Sequence, residues 1–190
     1  MKNYSTKYDL FFIHIPKNAG TSINEVLEIN PYQRGHRTAM QLKNIVGYNF
    51  ELSNKFCVIR NPWDRMVSLY KFRKDKGHDK HLCGDYTFEE WLYNPMTPHM
   101  PGHMDWVEQY TTIYDNQEGW LVNYILKYET LNTDWYKMLD TLKLPKLEIP
   151  LLNTSNKDDY KKYYNTKSIK FLENLFANDI KLFEYTFDNE

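Results

Sequence analysis

Two short runs of apolar residues stand out along a chain that is otherwise mostly polar. The first run spans residues 10–15 and ends at Pro16, and the second spans residues 56–59, between Lys55 and Arg60. Apolar runs of this length are typical of strands that are buried on both faces. Each run is followed by a segment with helical character, and long connections separate the two units. This order predicts an α/β fold with a mainly parallel central sheet.

The clearest helical pattern follows the second strand. Trp63, Met66, Val67 and Tyr70 recur at the spacing of one helix face, which predicts an amphipathic helix extending to about residue 74. Asn61 is a suitable N-cap residue, and Pro62 suits the first helical position. Weaker patterns predict four further helices and one further strand. The helices cover residues 40–46, 87–92, 135–142 and 167–183, and the strand covers residues 120–127.

Length and composition limit the classes of protein to which this chain can belong. The 190 residues show no repeat and no linker, so a single domain over residues 1–190 is expected. Lys and Arg number 24 against 25 Asp and Glu, a balance that favours neither nucleic acid nor a membrane surface as partner. Without an apolar segment of about 20 residues or a signal peptide, a cytoplasmic location is expected.

The loop after the first strand contains residues suited to binding an anion. Lys17 and Gly20 lie in the loop, and Thr21 and Ser22 lead into the next helical segment. Backbone N–H groups in a strand–loop–helix arrangement of this kind can hold phosphate or sulfate. The nucleotide-triphosphatase motif G-x-x-x-x-G-K-[ST] is absent, because here the lysine precedes the glycine.

The second strand ends in Arg60, where a magnesium-dependent enzyme would place an acidic residue. No metal ligand is therefore expected, and the charge of the anion would be neutralised by side chains alone. Ser68 follows Arg60 by eight residues, about 10 Å along the next helix. The arginine and the serine hydroxyl can meet around one phosphate.

These two segments together resemble the two cofactor signatures of sulfotransferases that use 3′-phosphoadenosine 5′-phosphosulfate. Residues 15–22 resemble the 5′-phosphosulfate loop, and residues 58–70 resemble the 3′-phosphate motif, although Asn61 replaces its usual aspartate. Residues 128–131 and 151–185 are also similar to later segments of the family. The resemblance is nearest to the carbohydrate branch and its short bacterial or viral relatives.

The resemblance implies a three-layer, P-loop-like α/β fold and sulfuryl transfer to an acceptor hydroxyl, with adenosine 3′,5′-bisphosphate as product. Lys17 would stabilise the charge that develops on the departing bisphosphate. The implied cofactor-binding residues are Lys17, Asn18, Ala19, Gly20, Thr21, Ser22, Arg60 and Ser68.

The segment around His36 resembles the region that supplies the catalytic histidine in uronyl 2-O-sulfotransferases. Histidine titrates near neutral pH, which suits a general base. Other branches use a glutamate in this region, and residues 31–50 contain none. His14 alternates into a strand and is interpreted as a packed core histidine. His99 and His103 are separated by a Pro–Gly pair, which argues against a zinc site.

The acceptor is the least defined part of the sequence interpretation. Residues 84–120 contain seven acidic residues and no lysine or arginine, and we expect this block on the acceptor side. It favours a neutral or lightly charged glycan, or a small hydroxylated metabolite, over a heavily sulfated polyanion. Two alternatives stay open: a P-loop-like nucleotide kinase and a non-catalytic nucleotide-binding module.

Overall fold

The structure is a computed structural model that describes residues 3–76, 86–93, 106–150 and 159–188. Its contacts divide the chain into two units. The first unit contains Met1–Arg60 and Gln109–Asn153, and the second contains Asn61–Glu108 and Thr154–Glu190. The candidate site described below is built from the first unit.

The described residues form six strands and eight α-helices. The strands are β1 (Tyr4–Ser5), β2 (Leu10–Ile13), β3 (Asn54–Ile59), β4 (Tyr114–Asp115), β5 (Gly119–Trp120) and β6 (Tyr124–Lys127). The helices are α1 (Gly20–Val26), α2 (Ala39–Val46), α3 (Tyr48–Leu52), α4 (Pro62–Lys76), α5 (Phe88–Tyr93), α6 (Leu131–Thr141), α7 (Thr166–Leu175) and α8 (Ala177–Phe183).

The central sheet has the strand order β1-β2-β3-β6. Strands β2, β3 and β6 are parallel to one another, and the short β1 pairs antiparallel with β2. The predicted α/β fold with a mainly parallel sheet is thus confirmed. Strand β2 ends at Ile13, two residues earlier than expected, because the Ile15 N–H bonds locally to the Ile13 carbonyl (3.1 Å).

Helices cover both faces of this sheet within the first unit. On one face, α1 and α6 bury the apolar side chains of β2, β3 and β6, and Trp135 of α6 contacts Phe56 with 5.8 Å between ring centroids. On the other face, Phe50 of α3 packs against Phe11 at 5.3 Å. The two faces alternate along β2, as its unbroken apolar sequence predicts. Burial on both faces fixes where the strand ends, and hence where the following loop begins.

The strand expected over residues 120–127 is divided in two. Its first part, β5, pairs with β4 as a separate antiparallel hairpin, and only β6 joins the central sheet. Asn123 lies between the two parts and bonds to the backbone of Lys55 through its own N–H (2.8 Å) and its side-chain oxygen (2.9 Å). These two bonds set the register of β6 on β3.

The second unit confirms two predicted helix starts. The Asn61 side chain accepts from the Trp63 N–H (3.0 Å), as expected of the N-cap of α4. Thr87 and Glu90 exchange side-chain and backbone hydrogen bonds at the start of α5, which is a capping box. The single helix expected over residues 167–183 is interrupted at Phe176, which is fully buried and ends α7 before α8 begins.

Several sequence interpretations fall outside the described residues. They concern the histidines His99 and His103, part of the acidic block of residues 84–120, and residues 151–158. Cys57 is a free cysteine buried in β3. Among the described parts of the chain, no helix is both long enough and apolar enough to cross a membrane.

Candidate active site

The candidate site lies where β2 and β3 end side by side. Because the two strands are parallel, their carboxyl ends meet at one edge of the sheet. The loop of residues 14–19 leaves β2 at this edge, and Arg60 follows β3 directly. In α/β folds with parallel strands, ligands bind outside this edge of the sheet.

The backbone of the loop takes an unusual conformation. Lys17 and Ala19 have left-handed backbones, with φ of 71° and 59°, although neither is glycine. Each such residue costs on the order of 1–3 kcal/mol and persists only where the surroundings enforce it. Alternating left-handed residues can turn several backbone N–H groups towards one anion. The backbone of the loop is therefore compatible with anion binding.

Asn18 holds this strained loop in place. Its side chain is fully buried, and its amide nitrogen donates to the Val58 carbonyl of β3 and to the Gln109 side-chain oxygen, both at 2.7 Å. The side chain therefore anchors the loop to the neighbouring strand.

Gln109 connects the loop to the residue that follows β3. Its side-chain oxygen accepts from the Arg60 N–H (2.9 Å), and its amide nitrogen donates to the Arg60 carbonyl (2.8 Å). The same oxygen accepts the bond from Asn18, so one fully buried glutamine fixes both segments. Sequence reasoning missed Gln109, because nothing in the local pattern distinguishes a residue that bonds to partners 49 and 91 positions away.

Arg60 brings a permanent positive charge to the loop. Its guanidinium donates to the Lys17 carbonyl (2.9 Å) and lies 4.0 Å from the centroid of the Tyr128 ring. A cation over an aromatic face is attracted by the ring electrons. Lys17 itself is partly buried in the same loop. The structure thus brings two of the residues expected to bind the anion, Lys17 and Arg60, to one place.

His36 lies beside the same loop. Its Nδ1 atom is 3.2 Å from the His14 carbonyl oxygen, and the rings of the two histidines are 4.2 Å apart between centroids. A carbonyl oxygen only accepts, so Nδ1 of a neutral His36 carries the proton. Its Nε2 atom then has a lone pair and is exposed to solvent with the rest of the side chain. That arrangement suits a general base.

Asn3 holds the segment that contains His36 against the sheet. Its buried side-chain amide donates to the carbonyls of Gly35 (2.7 Å) and Phe12 (3.2 Å), and its N–H donates to the Gln33 carbonyl (3.0 Å). The residue before His36 is thereby tied to the strand that leads into the loop. Asn3 was not identified from the sequence, where it appears as one polar residue of an unpatterned N-terminus.

His14 fills the space between the loop and His36. Its ring stacks on Phe12 (5.3 Å), which agrees with the packed histidine expected from the sequence. A Cβ atom on Gly20 would lie 1.7 Å from His14 Nε2, so the position requires glycine. Burial lowers the pKa of His14 to about 3, and the nearby positive charges of His36 and Arg34 contribute in the same direction. His14 is therefore neutral at physiological pH.

The remaining predicted site residues occupy different positions. Thr21 is exposed at the start of α1, whereas Ser22 is buried. Ser68 lies on α4 in the second unit and is partly buried. Its pairing with Arg60 stays a prediction from the sequence. Among the residues that the structure describes, no group of three or more metal-ligating side chains is found.

Comparison with known proteins identifies similar chains. A model of the sulfotransferase family matches residues 3–186. An uncharacterized protein of Archaeoglobus fulgidus is 29% identical over 126 residues, which are 65% of this chain and 97% of that protein. The crystal structure of mouse sulfotransferase SULT7A1 complexed with PAP superimposes with a TM-score of 0.57 at 15% identity, covering 96% of this chain and 91% of that one.

The low pKa of His14 makes a prediction about stability. Above pH 6.5 the residue is neutral in both the folded and the unfolded chain, so its contribution to stability is complete there. As the pH falls from 6.5 towards 3, only the unfolded chain binds the proton, and stability should decrease. His14→Gln should lose less stability than the wild type between pH 7.5 and pH 5.5 in urea unfolding. His36→Gln removes one of the two charges near His14 and should keep most of the wild-type dependence, because burial is the larger cause of the lowered pKa. Equal losses in His14→Gln and the wild type would contradict the assignment.

Proposed function

The chain belongs to the sulfotransferase family, and we propose that it transfers a sulfuryl group from 3′-phosphoadenosine 5′-phosphosulfate to an acceptor hydroxyl. The acceptor that we propose is a glycan or a small hydroxylated metabolite. One observation carries the proposal: the loop of Lys17, the guanidinium of Arg60 and the exposed imidazole of His36 meet at one edge of the sheet.

The loop supports binding of the 5′-phosphosulfate end of the donor. Its left-handed backbone presents N–H groups, Lys17 supplies positive charge, and residues 14–22 contain no acidic side chain that would repel an anion. Bound there, the donor supplies an activated sulfuryl group. The mouse sulfotransferase of similar fold was crystallised with PAP, which agrees with adenosine 3′,5′-bisphosphate as the product here.

In the proposed reaction, His36 and Lys17 have separate roles. His36 Nε2 takes the proton from the acceptor hydroxyl while the hydroxyl oxygen forms its bond to sulfur. The bond between sulfur and the bridging phosphate oxygen breaks, and Lys17 stabilises the negative charge that this oxygen acquires. The bond from His36 Nδ1 to the His14 carbonyl keeps the imidazole oriented during the transfer of the proton.

The 3′-phosphate of the donor is assigned to Arg60 and Ser68. This assignment rests on their spacing of eight residues and on the likeness of residues 58–70 to the family motif. Residues 1–190 are taken as one sulfotransferase domain, which the family match over residues 3–186 supports. A cytoplasmic location stays a prediction from the sequence.

Substitution of the two proposed catalytic residues should separate turnover from donor binding. His36→Ala should lower kcat by about 10²–10⁴-fold, and Lys17→Ala by about 10²–10³-fold. Transfer of labelled sulfate to a panel of hydroxylated acceptors measures turnover, and calorimetry with adenosine 3′,5′-bisphosphate measures binding. His36→Ala should bind the bisphosphate as the wild type does. Lys7→Ala, at an exposed lysine paired with Glu28, serves as control and should keep full activity.

Two results would contradict these assignments. Wild-type kcat in His36→Ala would show that another group is the base. Tight binding of the bisphosphate by the wild type without transfer to any acceptor would instead indicate a non-catalytic binding module.

The assignment of the 3′-phosphate to Arg60 and Ser68 predicts which nucleotide binds more weakly when these residues are substituted. Arg60→Lys removes the planar donor fork, and Ser68→Ala removes the hydroxyl, so each should weaken binding of adenosine 3′,5′-bisphosphate by about 10- to 100-fold. Binding of adenosine 5′-monophosphate, which lacks the 3′-phosphate, should change little in calorimetry. Arg34→Lys, at an arginine already paired with Glu25, is the matched control. Equal losses for both nucleotides would assign Arg60 and Ser68 to a structural role.

A further inference from the structure

A cavity of about 630 Å³ opens beside His36 in the first unit. Its volume falls within the range of sites that bind small molecules or a sugar ring. The cavity is lined by α2 and by the residues just before this helix. Their side chains are those of Arg34, His36, Arg37, Gln41, Asn44 and Ile45. His36 is thus the one proposed catalytic residue that lines this cavity.

The two arginines of the cavity differ in their pairing. Arg34 donates from Nη2 to the Glu25 carboxylate (3.2 Å) and from Nε to the Ile29 carbonyl (2.9 Å). Arg37 forms no ion pair and no hydrogen bond with any residue that the structure describes. The charge of Arg34 is therefore balanced by a carboxylate, whereas the charge of Arg37 is not. Arg37 directly follows His36 in the sequence.

The guanidinium of Arg37 lies close to the backbone of Gly35. A Cβ atom at Gly35 would lie 2.5 Å from Arg37 Nη1, so the guanidinium occupies the space that a side chain would take. Thr38, the next residue, caps α2 through a capping box with Gln41 and fixes the end of the segment. Arg37 thus lines the cavity directly before this capped helix start.

The rest of the lining suits a polar molecule with a small apolar surface. The Gln41 side-chain oxygen already accepts a hydrogen bond from the Thr38 N–H (3.0 Å). The Asn44 amide forms no hydrogen bond with a described residue, and Ile45 is 56% exposed. An amide and an uncompensated guanidinium bind hydroxyl and anionic groups, while the isoleucine can cover one face of a ring.

We propose that Arg37 binds an anionic group of the acceptor, a carboxylate or a sulfate ester, and so presents the neighbouring hydroxyl to His36. This inference rests on the proposed function, because it takes His36 as the base. Arginine binds planar or tetrahedral anions through two parallel N–H bonds, which orients the bound molecule as well as attracting it. Arg37 is accordingly a residue that determines specificity for the acceptor.

A titration of the complex with adenosine 3′,5′-bisphosphate tests the proposal. Three sugars serve as probes, and they share one ring but differ at carbon 6. D-glucose has a neutral hydroxymethyl group there, D-glucuronate has a carboxylate, and D-glucose 6-sulfate has a sulfate ester. At constant ionic strength, the Cε1–H resonance of His36 should shift saturably with at least one of the two anionic sugars. That sugar should bind at least about tenfold more tightly than glucose. Whichever anionic sugar binds more tightly shows whether Arg37 prefers a carboxylate or a sulfate ester.

Variants assign the preference to Arg37. Arg37→Gln should abolish the difference between anionic and neutral sugars, whereas Arg34→Gln, an equal change of charge at the paired arginine, should retain it. Both variants and the wild type should bind the bisphosphate with equal affinity. Failure of the wild type to bind the bisphosphate would contradict the proposed function itself.

The inference about Arg37 fails on separate results. A preference that survives in Arg37→Gln would overturn it, as would equal binding of the three sugars or no saturable shift with any of them. A tenfold or larger loss of bisphosphate affinity in Arg37→Gln would assign Arg37 to the donor and also overturn it.

Discussion

The candidate site depends on one set of buried hydrogen bonds, centred on Gln109. A single side chain accepts from Asn18 in the loop and bonds to both the N–H and the carbonyl of Arg60. These groups are shielded from water, so each broken bond would leave a buried polar atom unpaired, at a cost of about 1–3 kcal/mol. The strained backbone at Lys17 and Ala19 is sustained by this network. Binding residues from two strands are thus positioned before any ligand arrives.

The same network fixes positive charge beside the loop that we propose to bind the anionic donor. The Arg60 guanidinium bonds to the Lys17 carbonyl and stacks on Tyr128, so its charge is fixed near the loop. On the other side, His14 is neutral and packs against both Gly20 and His36. A neutral neighbour adds no repulsion when His36 takes up a proton. The ring packed against the base is therefore uncharged, while the Arg60 charge is fixed near the loop.

The sequence predicted the parts of this site that depend on local patterns. The strands β2 and β3, the loop of Lys17 and the position of Arg60 follow from apolar runs and from motif spacing. Asn3 and Gln109 could not be assigned their roles in this way, because each acts through contacts with residues distant in sequence. The break at Phe176 was also missed, since apolar residues continue at helical spacing through the point where α7 ends.

The central claim is that the loop of residues 14–19 holds the 5′-phosphosulfate end of the donor, while Arg60 is kept in place by Gln109. The most direct measurement is a crystal structure of the complex with adenosine 3′,5′-bisphosphate. We expect the 5′-phosphate oxygens within about 3.2 Å of backbone N–H groups of the loop and of the start of α1, with the Lys17 ammonium beside them. A 5′-phosphate bound away from this loop, for example in the cavity beside His36, would contradict the account.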